Sequence, residues 1–146
     1  QEQKKRAGTE NLAAIVAMVA ALKEDLEKQE EHFQHVQNLD TAFLAELEDI
    51  QYYLNRGEHH LPYVLNIGFP GQKNDLLLLR LDLAGISIST GSACTAGIVQ
   101  SSHVLEAMYG ANSERLKESI RISLSPENTV EDLHTLAKTL KEIIGG

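Results

Sequence analysis

The chain holds one cysteine, Cys94, in the segment Ser89-Thr90-Gly91-Ser92-Ala93-Cys94-Thr95-Ala96-Gly97. A buried structural thiol usually sits among aliphatic side chains, whereas these neighbours are small, polar and conformationally free. A thiol shown on such a loop is placed for nucleophilic attack: the thiolate is the reactive form, and Gly91 and Gly97 let it travel. No cation stands beside it in sequence, and a small residue packed under the loop is the competing reading. Arg121 comes next. It alternates with Ile120 and Ile122 among serines, so a strand would turn it away from the apolar face. Guanidinium grips a carboxylate with two parallel hydrogen bonds, against the plainer reading of a solvated surface arginine. Arg6-Ala7-Gly8-Thr9-Glu10-Asn11 sets a glycine and the Thr9 hydroxyl at a helix start, where backbone N–H groups and an arginine suit a phosphate. An ordinary N-cap explains the same residues.

The histidines offer less. His32 and His35 share a helix face, but no further ligands lie nearby to complete a metal site. His59-His60 reads as loop, and His103 follows a helix cap. Gly91-Ser92-Ala93 lacks the strand–turn–helix setting of a nucleophile elbow, so a serine hydrolase is not supported.

These side chains need elements to hold them. Thr9 is expected to cap a helix carrying Leu12, Ile15, Val16, Val19, Leu22 and Leu26, with Glu10 in its first turn. A second helical stretch, Phe33 to Ile50, is expected to break near Asn38. Tyr52-Tyr53-Leu54 reads as an edge strand. From Tyr63 the period changes to two, with Leu65, Ile67 and Phe69 on one face. Asn74 or Asp75 should cap a helix over Leu76–Ala84 that Gly85 closes. Ile86 and Ile88 alternate with Ser87 and Ser89 as a short strand leading into the cysteine loop. Ser102 and Ser113 should cap short helices, and Ile120, Ile122 and Leu124 form another strand. Asn128, with Glu131 three residues on, should make the capping box of a last helix. The order predicts an α+β fold, a small sheet covered by helices and preceded by a long connecting helix pair. Two parts are expected: 1–50 as connecting helices, and 51–146 as a small domain holding the cysteine loop.

A net charge of −8 over 146 residues argues against a general nucleic-acid binder, although Lys4, Lys5 and Arg6 cluster locally. One cysteine excludes an internal disulfide and a cysteine-rich zinc site, which fits a reducing, cytoplasmic compartment. The longest apolar run, Leu12 to Leu22, is too short to span a bilayer, so no membrane role is expected. The opening Gln1-Glu2-Gln3-Lys4-Lys5-Arg6 reads as the middle of a longer chain. Leu12, Ile15 and Val19, left uncovered, would favour self-association.

Together the segments resemble the C-terminal part of the NifS/IscS-type cysteine desulfurases of the class V aminotransferase group. Arg6 to Asn11 is similar to that family's R-x-G-T-E-N segment, and Leu61-Pro62 through Gly71 to its L-P-x-x-x-N strand. Ser89 to Gly97 is similar to its cysteine loop. Ser102-His103-Val104-Leu105 and Ser119 to Leu124 follow in the family's order, so the resemblance covers nearly the whole chain. It implies the small domain of a fold type I, pyridoxal phosphate-dependent transferase, following a large cofactor domain. It implies that the full-length protein takes sulfur from L-cysteine as a persulfide on Cys94 and releases L-alanine. Arg121 would hold the substrate carboxylate, and Thr9 would reach the cofactor phosphate across a homodimer. A sulfur-acceptor protein, an iron–sulfur scaffold or a transfer-RNA thiolation enzyme, would take the persulfide sulfur. The family's Schiff-base lysine segment has no counterpart here, so this piece alone is expected to bind no cofactor and to be inactive. Ser125 stands where the family usually has glycine, and Gln100-Ser101 replaces Glu-Pro. A stand-alone, non-catalytic sulfur carrier or partner-binding module is the alternative.

Overall fold

The computed structural model describes residues 8, 10–91 and 102–145. Cys94, Thr9 and the Gln100-Ser101 substitution lie outside the described residues. The chain divides into two compact units, Gln1–Phe33 and Gln34–Gly146.

Helix α1 runs Leu12–Glu46. Asn11, rather than Thr9, caps it: Asn11 Oδ1 accepts from the Ala14 N–H at 3.1 Å. The helix starts one residue after Asn11, so Glu10 falls outside the first turn, and asparagine is among the best caps. Within the first unit the apolar stripe is open to solvent, with Leu12 68%, Leu22 53% and Leu26 59% exposed. The expected break near Asn38 is absent, and the connecting helix pair is one helix. Asn38 faces solvent, where Gln34 Nε2 donates to its Oδ1 at 3.3 Å, so its amide does not compete with the backbone.

In the second unit a three-stranded antiparallel sheet has the order β1-β2-β3, with β1 at Tyr53–Leu54, β2 at Val64–Gly68 and β3 at Ser119–Ser123. Register puts Leu65 opposite Ile122 and Ile67 opposite Ile120, so both strands turn their aliphatic side chains to one face. Phe43, Leu65, Ile67, Phe69 and Ile120 have no solvent exposure. Helix α2, Asn74–Leu83, contributes Leu77 and Leu81 to this core. Helix α5, Val130–Gly145, contributes Leu133, Leu136, Ala137 and Leu140. Burying each of the leucine, isoleucine and phenylalanine side chains contributes about 1.5–3 kcal/mol. Two short helices, α3 at His103–Tyr109 and α4 at Arg115–Glu118, lead into β3.

The helix caps depart in part from what local sequence implies. Ser102 accepts from the Leu105 N–H at 3.3 Å, as expected, whereas α4 follows Glu114 with no side-chain cap and Ser113 Oγ accepts from the Arg115 N–H at 3.4 Å one residue further back. Neither Asn74 nor Asp75 caps α2, which follows Lys73 with no side-chain cap. Asn74 instead donates to the carbonyls of Leu116 and Ser119, both at 3.1 Å. At α5 the capping box is Thr129 with Asp132: Thr129 N donates to Asp132 Oδ2 at 2.8 Å, and Asp132 N to Thr129 Oγ1 at 3.2 Å. Asn128 is spent on the preceding turn, where its Oδ1 accepts from the Ser125 N–H at 2.9 Å. Ser125 Oγ also donates to Glu127 Oε2 at 2.8 Å, so the serine builds this turn through its side chain. Ile86–Ser89 pairs through one residue, an antiparallel bridge from Ser89 to Arg121, rather than as a strand.

Asp40 on α1 holds the segment after β1. Arg56 Nη1 donates to its Oδ2 at 2.7 Å, and Asp40 is 4% exposed. No helix among the described residues is long and apolar enough to cross a membrane.

Candidate functional site: a polar row across the sheet

The face of the sheet opposite the core carries polar side chains, because the alternation that buries Ile120 and Ile122 sends Arg121 the other way. Arg121 sits directly across from Asn66 on β2. Asn55 continues the row, its N–H donating to the Asn66 carbonyl at 2.9 Å. Ser89 closes the other end. Its N–H donates to the Arg121 carbonyl at 3.0 Å, and its carbonyl accepts from the Arg121 N–H at 2.7 Å. Asn55, Asn66, Arg121 and Ser89 therefore lie side by side across the sheet.

Arg121 is half-buried. Its Nε donates to Ser89 Oγ at 3.0 Å, and that hydroxyl donates to the Arg121 carbonyl at 3.4 Å. No carboxylate among the described residues pairs with it. The fixed Nε leaves the two-nitrogen end of the guanidinium as the edge for a ligand, and that edge matches a carboxylate. Two residues past Ser89, Gly91 adopts φ 58°, a left-handed conformation that glycine takes without strain.

The row is braced on its far side. Asn55, 8% exposed, donates through Nδ2 to Asn66 Oδ1 and to Ser119 Oγ, both at 2.8 Å. Its Oδ1 accepts from Arg115 Nη1 at 2.9 Å. Arg115 in turn lies 4.1 Å from the Tyr53 ring centroid and 4.5 Å from that of Tyr109, a cation held between two aromatic faces. Tyr53 packs on Gly68, where an added Cβ would overlap its ring. Its hydroxyl donates to Glu118 Oε2 at 3.0 Å, while Glu118 Oε1 accepts from the Gly71 N–H at 2.7 Å.

Burial pushes the Tyr53 phenol up to about 12, Glu118 adding to the shift and Ser119 opposing it. A raised phenol pKa keeps the neutral form in the folded state while the unfolded chain ionises. The stability is therefore fully present below pH 10 and is lost as pH rises toward about 12. Solvent screening of a half-buried group holds the loss to about 1 kcal/mol. Urea denaturation across this range is expected to show the decline, and Tyr53→Phe to flatten it. An equal slope in the variant would contradict the assignment.

The structure places Arg121 where the strand pattern put it, but the pairing that orders it was not foreseen. Asn55, Asn66, Ser89 and Arg115 had no assigned role. Period-two spacing alone set Asn66 among the outward residues, whereas its position opposite Arg121 depends on cross-strand register. His32 and His35 do not converge on a metal. His32 Nδ1 lies 3.7 Å from Asp25, and His35 Nε2 meets the Asn128 carbonyl at 2.9 Å. No cluster of three or more His, Cys, Asp or Glu able to hold a metal occurs among the described residues.

Residues 1–136 match the family described as aminotransferase class-V. The chain belongs to that family. This class-V chain is 45% identical, over 99% of its length, to a putative cysteine desulfurase IscS 1 of Bacillus subtilis (strain 168) and covers 39% of that relative. It is 36% identical to a cysteine desulfurase IscS of Dictyoglomus turgidum, covering 99% of this chain and 37% of the relative. A NifS-like protein from Rickettsia africae superposes with a TM-score of 0.82 at 30% identity, covering all of this chain and 38% of that one. A second NifS-like protein gives 0.81 at 29% identity, covering 99% and 37%. The class-V chain thus spans less than two fifths of the length of these relatives.

Lys28, Lys117 and Lys141 pair with Glu24, Glu114 and Asp49, at 3.0, 3.3 and 3.0 Å. No lysine of the chain lies in a Ser-x-His-Lys segment.

Proposed function

We propose that this chain is the C-terminal part of a cysteine desulfurase, with residues 1–50 connecting to a large cofactor domain and 51–146 forming the small domain. The observation that carries this reading is Arg121, whose two-nitrogen end is turned to no described carboxylate and whose Nε is fixed by Ser89, a residue five positions before the lone cysteine. Covalent geometry keeps Cys94 within about 18 Å of Ser89, so a nucleophile and a carboxylate grip are tied to one short stretch of chain.

Arg121 binds the carboxylate of L-cysteine and orients its thiol-bearing carbon. The Cys94 thiolate attacks the substrate sulfur. The new S–S bond forms as the C–S bond breaks, and the carbon takes a proton, leaving L-alanine and a persulfide on Cys94. Pyridoxal phosphate, when bound by the full-length protein, supplies the electron sink for that C–S cleavage. Thr9 would contact its phosphate from the opposite subunit of a homodimer. The persulfide sulfur passes to an acceptor protein, an iron–sulfur scaffold or a transfer-RNA thiolation enzyme, in the cytoplasm.

The test is alanine and sulfide release by the full-length protein supplied with pyridoxal phosphate, L-cysteine and a reductant. Alanine and sulfide in equal amounts are expected. Unchanged L-cysteine would overturn the reading.

A further inference from the structure

The Nε of an arginine is one of its five donors and is often shared with the ligand. Here it is already spent inside the protein. Arg121 Nε donates to Ser89 Oγ at 3.0 Å, and the two residues exchange backbone hydrogen bonds of 3.0 and 2.7 Å. The serine hydroxyl has one proton, which points to the Arg121 carbonyl at 3.4 Å and leaves its lone pairs facing Nε. The hydroxyl is thus oriented as an acceptor by the same residue that donates to it. A guanidinium held at Nε cannot turn about its long stem, and only the Nη1–Nη2 end remains for a ligand.

We infer that Ser89 is a positioning residue that selects the end-on mode of carboxylate binding at Arg121, an inference that rests on Arg121 being the substrate grip proposed above. Without the hydroxyl, Nε becomes a free donor. The guanidinium can then meet a carboxylate side-on as well as end-on, and the ordering of the long side chain falls to the ligand. Ser89→Ala weakens carboxylate-bearing ligands, and does so only through the carboxylate. Ser89→Thr keeps the oxygen and the backbone bridge, and β-branched residues suit an extended pair.

The experiment uses the full-length protein with its cofactor and two probes followed by isothermal titration. S-methyl-L-cysteine keeps the amine and carboxylate but has no thiol hydrogen, and S-methylcysteamine is the same molecule without the carboxylate. Ser89→Ala is expected to weaken S-methyl-L-cysteine about tenfold, roughly the worth of one hydrogen bond to a charged group. S-methylcysteamine should stay within about twofold of wild type, and Ser89→Thr should restore the first probe. Equal weakening of both probes would show a merely structural serine and overturn the inference, as would unchanged binding of S-methyl-L-cysteine. Alanine release is measured on the same preparations. Its absence from the wild type would overturn the desulfurase reading, while the titrations still decide the role of Ser89.

Discussion

In the full-length protein, Arg121→Ala is expected to lower kcat/KM for L-cysteine by roughly 10²- to 10⁴-fold. The end-on guanidinium offers a carboxylate two charge-assisted hydrogen bonds, each worth about 1.5–3 kcal/mol, and alanine removes both. Arg121→Lys keeps the positive charge as a point donor and loses the planar fork, so a loss of about 10- to 100-fold is expected. Stability should change little. Among the described residues the side chain makes one hydrogen bond within the protein, to Ser89, and loss of one hydrogen bond costs about 1 kcal/mol. A variant that keeps more than about a tenth of wild-type kcat/KM would remove Arg121 from the site.

Cys94→Ala has an expected effect of comparable size. Deleting the attacking sulfur leaves no thiolate to accept the substrate's, so alanine release should fall by at least roughly a thousandfold. Binding of S-methyl-L-cysteine should survive, because that probe depends on Arg121 and Ser89 and needs no nucleophile. Ser92→Ala, two residues before Cys94 in sequence, is a control for disturbance of the segment. Turnover within about tenfold of wild type in Cys94→Ala would mean that another group takes the sulfur.

Much of the second unit was legible because one buried face imposes a strict period on each strand. Leu65, Ile67 and Phe69, with Ile120, Ile122 and Leu124, announced both strands and sent Arg121 outward. The stripe of Leu133, Leu136, Ala137 and Leu140 announced α5 in the same way. What local pattern could not carry was partner choice. Asn128 and Asn74 are good caps by type, yet the Asn128 amide serves the preceding turn and the Asn74 amide reaches carbonyls 42 and 45 positions away, so neighbouring or backbone groups terminate the helices instead. Asn38 looked like a break because its amide can compete with the backbone. On a solvent face, that amide met Gln34. The polar row was the least legible part. Asn55 meets Arg115 across 60 positions and Ser119 across 64, and only folding brings them together. Ser89 stood in plain view within the cysteine segment, but its bond to Arg121 exists only once the two strands of chain are paired.

We propose that Cys94 carries the sulfur taken from L-cysteine. This role is tested most directly by intact-mass analysis of the full-length protein, incubated with pyridoxal phosphate and L-cysteine without reductant, followed by peptide mapping. The wild type is expected to gain the mass of one sulfur atom on the peptide containing Cys94, and Cys94→Ala to gain none. An unmodified Cys94 in a preparation that releases alanine, or the added sulfur in the Cys94→Ala protein, would contradict it.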